Sequence, residues 1–240
     1  MKSRHSLMAT LLFFPFLCGA QEQSVIPLNS EPHHHLALHN EYVNVYSVYV
    51  PPHDSVLLHK HDVDAISIAM SDSEITVQAP GKPDSQQKVV YGQLRLQPAG
   101  YVHSTSIDGA TPYRNLTVEL LAPQQSPRNL CAAVIPAQPV NCPQSPQRDA
   151  HGSPEQPQFQ TDQTKIALIR ILPLQSATLD THGLSQLIVV LDDVGIPGNK
   201  NSPGKVLRTG DFLWRDPRSA PETFSNNSTN EVRLVSFAFQ

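Results

Sequence analysis

Three histidines in the first half of the chain have the residue type and the spacing of metal ligands. His59 and His61 are separated by one residue. Side chains at positions i and i+2 of a strand point to the same face, so a strand would turn both imidazoles to one side. His103 follows Pro98 and Gly100, which predict a turn with a further strand after it. Three imidazoles that meet inside a β-barrel would form a site for a borderline divalent metal.

The segment that ends at His103 resembles the second sequence motif of the cupin superfamily. Gly92, Pro98, Gly100 and His103 match that motif at every spacing, and Ile107 stands where an asparagine is usual. His59 and His61 resemble the His-x-His of the first cupin motif, but Asp64 stands one residue before the expected glutamate. The resemblance is clear over residues 35–122 and faint over 165–240.

The resemblance implies a jelly-roll barrel that holds one divalent transition metal (Fe, Mn, Ni, Cu or Zn). The ligands carried over from the motifs are His59, His61 and His103, with Asp64 as a fourth. Because aspartate is one methylene shorter than glutamate, Asp64 would reach the ion through a water, and a site of three histidines with open positions is the alternative.

Two classes of function follow from this resemblance. In the first, an oxidoreductase of the dioxygenase type acts on a small chelating organic substrate, and Asp64 or Tyr101 handles a proton. In the second, the barrel binds a sugar, an organic acid or a phenolic compound without turnover. An isomerase would need a base opposite the metal, and the sequence offers no obvious candidate.

The remaining patterns predict an all-β protein of two tandem barrels. Short strand-like runs broken by Pro, Gly, Asp and Ser fill both halves. A shift of 121 residues places Val48 on Ile169 and His61 on His182, which indicates a duplication. We therefore expect an N-terminal metal-binding barrel over residues 21–122 and a degenerate C-terminal barrel over 165–240.

The second half has lost most of the candidate ligands. Asp180 stands at the position of His59, Ser185 at that of Asp64 and Glu222 at that of His103, so only His182 persists. Asp180, His182 and Glu222 could bind a metal weakly, but a structural role is the expectation.

Residues 123–164 are rich in Pro, Gln and Ser, which predicts a linker or a surface excursion without regular structure. This segment contains Cys131 and Cys142. In an exported chain, two cysteines with ten residues between them predict a disulfide that closes a small loop, and a pair of free thiols is the alternative.

The N-terminus has the pattern of a cleaved signal peptide. Lys2 and Arg4 precede the apolar run 7–17, and Ala20–Gln21 is the expected cleavage site, so we predict export to the periplasm or the medium. Removal of residues 1–20 changes the formal net charge from −4 to −6. An acidic chain without a basic stripe argues against nucleic-acid binding, and no other run is apolar enough to span a membrane. The expected partners are a small-molecule ligand and further copies of the chain.

A second group of histidines, His33–His35 and His39, precedes the first strong strand. An exposed segment that enters the barrel is the favoured interpretation. The functional alternative is that one of them lines the mouth of the pocket.

Overall fold

The protein is built almost entirely of β-strands. The computed structural model describes residues 24–143, 147–148, 154–198 and 203–240. The predicted signal segment, residues 1–20, lies outside the described residues. The strands form four sheets, which pair into two barrels, and the prediction of an all-β protein is confirmed.

The strands are numbered in chain order. In the first half they are β1 (Ile26–Pro27), β2 (His34–His39), β3 (Val43–Val50), β4 (Ser55–Lys60), β5 (Ala65–Ala69), β6 (Ser73–Gln78), β7 (Ser85–Val89), β8 (Leu94–Gln97), β9 (Val102–Ile107) and β10 (Tyr113–Leu120), with a 3-10 turn at Leu28–Ser30. In the second half they are β11 (Arg128–Asn129), β12 (Gln147–Arg148), β13 (Pro154–Gln160), β14 (Thr164–Ile171), β15 (Ser176–Leu179), β16 (Ser185–Val190), β17 (Val194–Ile196), β18 (Lys205–Leu207), β19 (Phe212–Arg215), β20 (Glu222–Ser225) and β21 (Val232–Phe239).

The first barrel consists of two five-stranded sheets. Sheet 1 has the order β1-β4-β9-β6-β7, and sheet 2 has the order β2-β3-β10-β5-β8. Their inner faces enclose an apolar cluster that includes Val50, Ile75 and Ile107. Alternation along each strand sends every second side chain into this interior.

The second barrel repeats this strand order. Sheet 3 contains the path β14-β21-β16-β19, which corresponds to β3-β10-β5-β8, and sheet 4 has the order β15-β20-β17-β18, which corresponds to β4-β9-β6-β7. The strands β3 and β14 are offset by 121 residues and pair with the last strand of their own barrel. The structure thus shows two copies of one barrel design in tandem.

The two barrels share one hydrophobic core. The outer faces of sheets 2 and 3 pack against each other, because a single buried cluster contains Ile66 and Val118 of sheet 2 together with Leu187 and Phe237 of sheet 3. The outward-facing residues of sheet 2 are therefore apolar, and its polar residues can face the barrel interior. Sheet 2 thus differs from a sheet with one solvent-exposed face, which turns its apolar side chains inward. Its inward-facing polar side chains line the cavity described below.

The proline-rich segment 123–164 is more structured than the sequence predicted. Its strand β13 pairs with β14, and β11 and β12 pair with β13. The register of β13 shifts between Pro157 and Phe159, and such a bulge accommodates a proline that cannot donate to the ladder. Val134 and Phe159 are fully buried in the shared core. The expectation of a segment without regular structure was therefore wrong for these strands.

The same segment carries the disulfide Cys131–Cys142 that the spacing predicted. Among the described residues, no helix is long and apolar enough to cross a membrane.

Candidate metal centre

Two neighbouring strands place His59 and His103 directly opposite each other. Strands β4 and β9 are antiparallel, and His59 is paired with His103 in their register. The register shifts between Val56 and His59. His61 lies one residue beyond the end of β4 and is fixed to the turn before β9: its backbone N–H donates to the Tyr101 carbonyl (2.9 Å), and the Gly100 N–H donates to the His61 carbonyl (2.7 Å).

Gly100 supplies the backbone conformation that this turn requires. Its φ is +82°, in the left-handed region that glycine adopts without strain. The Tyr101 N–H donates to the Pro98 carbonyl (3.0 Å) and closes the turn. The Pro98–Gly100 signal in the sequence therefore corresponds to the structural element that aligns His61 with His103.

The three imidazoles meet in one buried group. The Nε2 atoms of His61 and His103 are 3.2 Å apart, and the rings of His59 and His103 have centroids 4.5 Å apart. One ring nitrogen from each of His59, His61 and His103 lies within 4.8 Å of the other two. The relative exposures are 1%, 0% and 6%, so water has little access to these rings. Among the described residues, this is the one group of three or more His, Cys, Asp or Glu side chains close enough to share an ion.

The hydrogen bonds of the rings fit a metal. Nδ1 of His59 donates to the Leu57 carbonyl (2.8 Å), which leaves a lone pair on Nε2, and this buried Nε2 has no protein partner. Nδ1 of His103 is 3.4 Å from the Thr105 hydroxyl. Ligating histidines usually bond their second nitrogen in this way, which fixes the tautomer and the ring orientation. His61 differs, because its Nδ1 is buried without a protein partner. Two nitrogens bound to one ion at ~2.1 Å lie roughly 3 Å apart at adjacent positions, in agreement with the His61–His103 distance.

Burial keeps the three rings neutral, the form that binds metals. Removal from water lowers the pKa of His61 to about 3 and lowers the pKa of His103 well below its ordinary value. The pKa of His59 is also lowered by burial, although the bond to the Leu57 carbonyl acts in the opposite direction.

A buried carboxylate supports the site from behind. Glu31, 2% exposed, accepts hydrogen bonds from the backbone N–H groups of His33 (2.8 Å) and Leu57 (3.1 Å), and its Oε2 is 2.6 Å from Nδ1 of His34. The His34 ring is in turn 5.0 Å from the His59 ring. Of the histidines that precede the first strong strand, His34 is therefore the one that reaches the cavity, as the functional alternative proposed.

Tyr101, two residues before His103, lies against the histidines. Its ring stacks on His103 with centroids 4.7 Å apart and planes inclined by 20°. Burial raises the pKa of Tyr101, and the charge of Arg95 counteracts that shift. A neutral phenol in this position can donate a hydrogen bond to a ligand beside the histidines.

Asp64 does not join the group, contrary to its assignment as a fourth ligand. Its Oδ1 accepts a hydrogen bond from the Ala99 N–H (3.0 Å), and its backbone carbonyl accepts from the Leu120 N–H (2.8 Å). The short side chain thus fixes the loop after β4 to the Pro98–Gly100 turn. Of the two ligand sets left open by the sequence, the structure brings together the three histidines alone.

The histidines face a cavity of about 550 Å³ in the first barrel. One wall is apolar and includes Val56, Ile75 and Val77 of sheet 1. The opposite wall is polar and is formed by sheet 2, where the described lining residues include Ser67, Gln93, Arg95, Gln97, Tyr113, Asn115 and Thr117. No Asp or Glu is found among the described lining residues. A cavity of this size with a few convergent polar groups is suited to a small organic molecule.

Comparisons with known proteins give the fold. No protein-family model and no curated protein matches the chain. Among solved structures, AerE from Microcystis aeruginosa is 13% identical, with 88% of this chain and 98% of that chain covered and a TM-score of 0.57. Salicylate 1,2-dioxygenase from Pseudoaminobacter salicylatoxidans, in its gentisate adduct, is 11% identical, with 82% and 68% covered and a TM-score of 0.52. The chain has the cupin fold. The resemblance noted in the two sequence motifs is thereby confirmed for the fold.

The second cupin barrel does not repeat the histidine group. The His182 side chain is exposed and its backbone N–H donates to Asp180 Oδ1 (2.8 Å). Arg215, 3% exposed, donates to the side-chain carbonyl of Gln186 (3.0 Å) and to the Ala220 carbonyl (2.8 Å). Its pKa is lowered by burial and supported by the charges of Glu222 and Asp180. Glu222 and Asp180 thus act electrostatically on Arg215. A structural role for this barrel stays an expectation.

Sequence reasoning missed Glu31 and Arg95. Glu31 carried no signal, because nothing in a single glutamate before a short turn shows that it will be buried. Arg95 did carry one: in the run Leu94–Gln97, leucines alternate with Arg95 and Gln97. This alternation is typical of a strand whose polar side chains are exposed to solvent. Only the packing of the second barrel on the leucines shows that the polar side chains face the interior of the first barrel.

Proposed function

We propose that this protein is a metal-dependent cupin whose first barrel binds one divalent transition metal, Fe, Mn, Ni, Cu or Zn, through His59, His61 and His103. We further propose that it acts on a small chelating organic substrate as an oxidoreductase of the dioxygenase type. The observation that carries the proposal is the meeting of three buried imidazoles, two of which, His59 through Nε2 and His61 through Nδ1, have a buried ring nitrogen without a protein partner.

The metal, when bound, would supply Lewis acidity and, if redox-active, a binding position for dioxygen beside the substrate. The protein's own groups would orient and exclude water. Leu57 and Thr105 hold the rings of His59 and His103, and the apolar side chains of sheet 1 would cover the hydrocarbon part of a substrate. Tyr101 is placed to donate a hydrogen bond to the substrate beside His103.

The fold comparison supports the oxidative assignment indirectly. Salicylate 1,2-dioxygenase, by its name a dioxygenase, shares the two-barrel fold over 82% of this chain. Since one fold hosts many activities, this likeness only sets the starting point for the choice of substrates.

A non-catalytic binding function is the second candidate. The described residues that line the cavity include no carboxylate, and Asp64 is engaged by Ala99, so no acidic side chain is placed to act as a general base. A protein that only holds a sugar, an organic acid or a phenolic compound would need none.

Metal analysis of single variants tests the site. Purified protein should contain about one transition-metal ion per chain, as one closed group of three ligands implies. His59→Ala, His61→Ala and His103→Ala should each lose it, whereas the matched control His182→Ala, in the second barrel, should retain it. Equal metal content in all four variants would refute the assignment of a single site.

Oxygen consumption separates the two functions. Catechols, flavonols and small diketones would be offered to protein loaded with iron, manganese, nickel or copper, and oxygen uptake followed with an electrode. Turnover that disappears in His103→Ala supports the dioxygenase. Tight binding of a compound without oxygen uptake by any metal form supports the binding function instead.

We also propose that the chain is exported, with cleavage near Ala20–Gln21. The Cys131–Cys142 disulfide is compatible with an oxidising compartment. Determination of the N-terminal residue of protein recovered from the periplasm or the medium tests this, and a mature chain that retains Met1 would contradict it. Self-association is a further proposal, which sedimentation analysis of the mature chain would test.

A further inference from the structure

The cavity beside the histidines carries positive charge that the protein does not neutralise. Arg95 and Lys82 line it, and none of its described lining residues is acidic. Arg95 is half-buried, and its Nη1 donates to the neutral side-chain carbonyl of Gln87. Among the described residues, no carboxylate forms an ion pair with Arg95. A half-buried guanidinium that faces a cavity without a carboxylate is unusual, because buried charges are normally paired.

The polar wall around Arg95 consists of groups that can donate hydrogen bonds. Arg95 and Gln97 of strand β8 line the cavity together with Gln93, which precedes the strand, and the amide Nε2 of each glutamine is a hydrogen-bond donor. The Tyr113 hydroxyl accepts from Asn115 Nδ2 (2.7 Å), so its own proton remains to be donated. Arg95 and Tyr113 line the same cavity, so a ligand there can meet both the guanidinium and the phenol.

We infer that the cavity binds a small carboxylic acid as its anion, with the carboxylate held by Arg95 on the polar wall of sheet 2 and the body of the molecule directed toward His59, His61 and His103. This inference rests on the proposed function and narrows its substrate class. A planar guanidinium matches a carboxylate with two parallel hydrogen bonds, which gives affinity and also fixes the orientation of the ligand. The apolar wall formed by Val56, Ile75 and Val77 would cover the hydrocarbon part.

The two cations of the cavity are not equivalent. Lys82 is exposed, whereas Arg95 is half-buried on a strand of the barrel wall. Because a partly desolvated charge is screened much less than an exposed one, Arg95 should provide most of the selectivity for an anion. Lys82 would add a general attraction at the edge of the cavity.

Metal-free protein allows the test to isolate Arg95. A carboxylate would also bind the metal ion itself, so the chain is first stripped with a chelator. Benzoate and its neutral counterpart benzamide are then titrated by calorimetry. Since a charge-assisted hydrogen bond contributes about 1.5–3 kcal/mol, wild-type protein should prefer benzoate by roughly tenfold or more.

Variants assign that preference to one side chain. Arg95→Gln should bind both probes alike, while Arg95→Lys should retain part of the preference. Arg114→Gln removes the same charge from an exposed position of the same barrel and should behave as wild type. Melting curves of all variants check that each is folded, and the wild-type comparison of the two probes decides the question even if Arg95→Gln does not fold.

The outcomes separate this inference from the metal site. Equal binding of benzoate and benzamide by wild-type protein, or no binding of either at millimolar concentration, would overturn the inference and leave the metal assignment intact. A preference that is lost in Lys82→Gln but kept in Arg95→Gln would overturn the role of Arg95. Zn²⁺ titration of Arg95→Gln should match wild type, whereas loss of Zn²⁺ binding in His103→Ala tests the metal site alone.

Discussion

The substitution Glu31→Gln offers a sensitive test of how the histidine site is supported. Glu31 is almost fully buried, and three donors converge on its carboxylate: the backbone N–H groups of His33 and Leu57 and the ring of His34. Glutamine has nearly the same shape, but one of its two terminal atoms is a donor. The bond from Leu57 to Oε1 can be kept, whereas the two bonds to Oε2 would become contacts between donors.

The expected cost follows from the loss of those two bonds. A hydrogen bond to a charged group contributes about 1.5–3 kcal/mol net, so two bonds would cost roughly 3–6 kcal/mol. Relief of the desolvation of a buried carboxylate offsets part of this, which leaves a net loss of about 2–4 kcal/mol in the free energy of unfolding. With a urea m-value of ~2 kcal/mol/M, the midpoint should fall by roughly 1–2 M.

The assay is urea denaturation of metal-free protein followed by circular dichroism. Glu74→Gln is the matched control, because Glu74 is an exposed glutamate of the same barrel, and its change should stay within about 0.5 kcal/mol. The reasoning would be refuted by midpoints of Glu31→Gln and Glu74→Gln that coincide, since the buried network would then contribute nothing measurable.

The pH dependence of the same variant is a second readout. Burial alone would raise the pKa of Glu31, but the hydrogen bonds from His34 and Leu57 hold it below its ordinary value of 4.5. A depressed carboxyl pKa contributes stability that is present above pH 4.5 and is lost as the pH falls through the pKa of the folded protein. Glu31→Gln should therefore flatten the acid limb of the stability curve, and an unchanged limb would contradict this origin of the shift.

Three further predictions concern stability. Burial depresses the pKa of His61 to about 3, so as the pH falls below 6.5 this histidine is protonated in the unfolded chain before it is protonated in the folded protein. At about pH 5, the free energy of unfolding of metal-free protein should therefore be lower by ~2 kcal/mol from this residue alone. The denaturation midpoint measured as a function of pH tests this. Phe237→Ala in the shared core should lower the free energy of unfolding by about 3–5 kcal/mol, whereas Leu174→Ala at an exposed position should change it negligibly. A small loss for Phe237→Ala would show that the stability of the barrels does not depend on their interface. Reduction of Cys131–Cys142 should cost about 2–3 kcal/mol, seen as a lower melting temperature with reductant that is absent in the Cys131→Ser/Cys142→Ser double variant.

The histidine site could be predicted because its signals are local. The His-x-His spacing predicted that His59 and His61 point to one side, and the structure brings them together although His61 lies one residue beyond the end of β4. The Pro98–Gly100 turn fixes where the strand carrying His103 begins. The convergence of β4 and β9 was supplied by the resemblance to the cupin motifs. Local pattern and motif together were sufficient to identify the group of three rings, and metal binding by it remains a prediction.

Other features depend on contacts that no local pattern encodes. Asp64 was assigned as a ligand by its position in the motif, yet the Ala99 N–H, distant in sequence, determines where its carboxylate points. The strand β13 was missed because the prolines of this segment predict a lack of regular structure. The apolar Phe159 is buried in the core that the two barrels share, and the sequence alone does not show this contact. In both cases the deciding partner comes from a part of the chain whose position follows only from the complete fold.

The contrast between the two barrels gives the strongest argument that the first one is the functional one. Both have the same strand order, and both place polar groups in their interior. In the second barrel the protein satisfies its own buried guanidinium, since Gln186 and Ala220 accept from Arg215. Among the described residues, five buried side-chain atoms have no protein partner: His59 Nε2, His61 Nδ1 and Gln97 Oε1 belong to the histidine group or the cavity lining, whereas Asn40 Nδ2 and Thr164 Oγ1 do not line the cavity. Arg95, which also lines it, has no ion-pair partner among the described residues. Since native interiors rarely leave such groups unpaired, their concentration around one cavity indicates that their partners come from outside the chain.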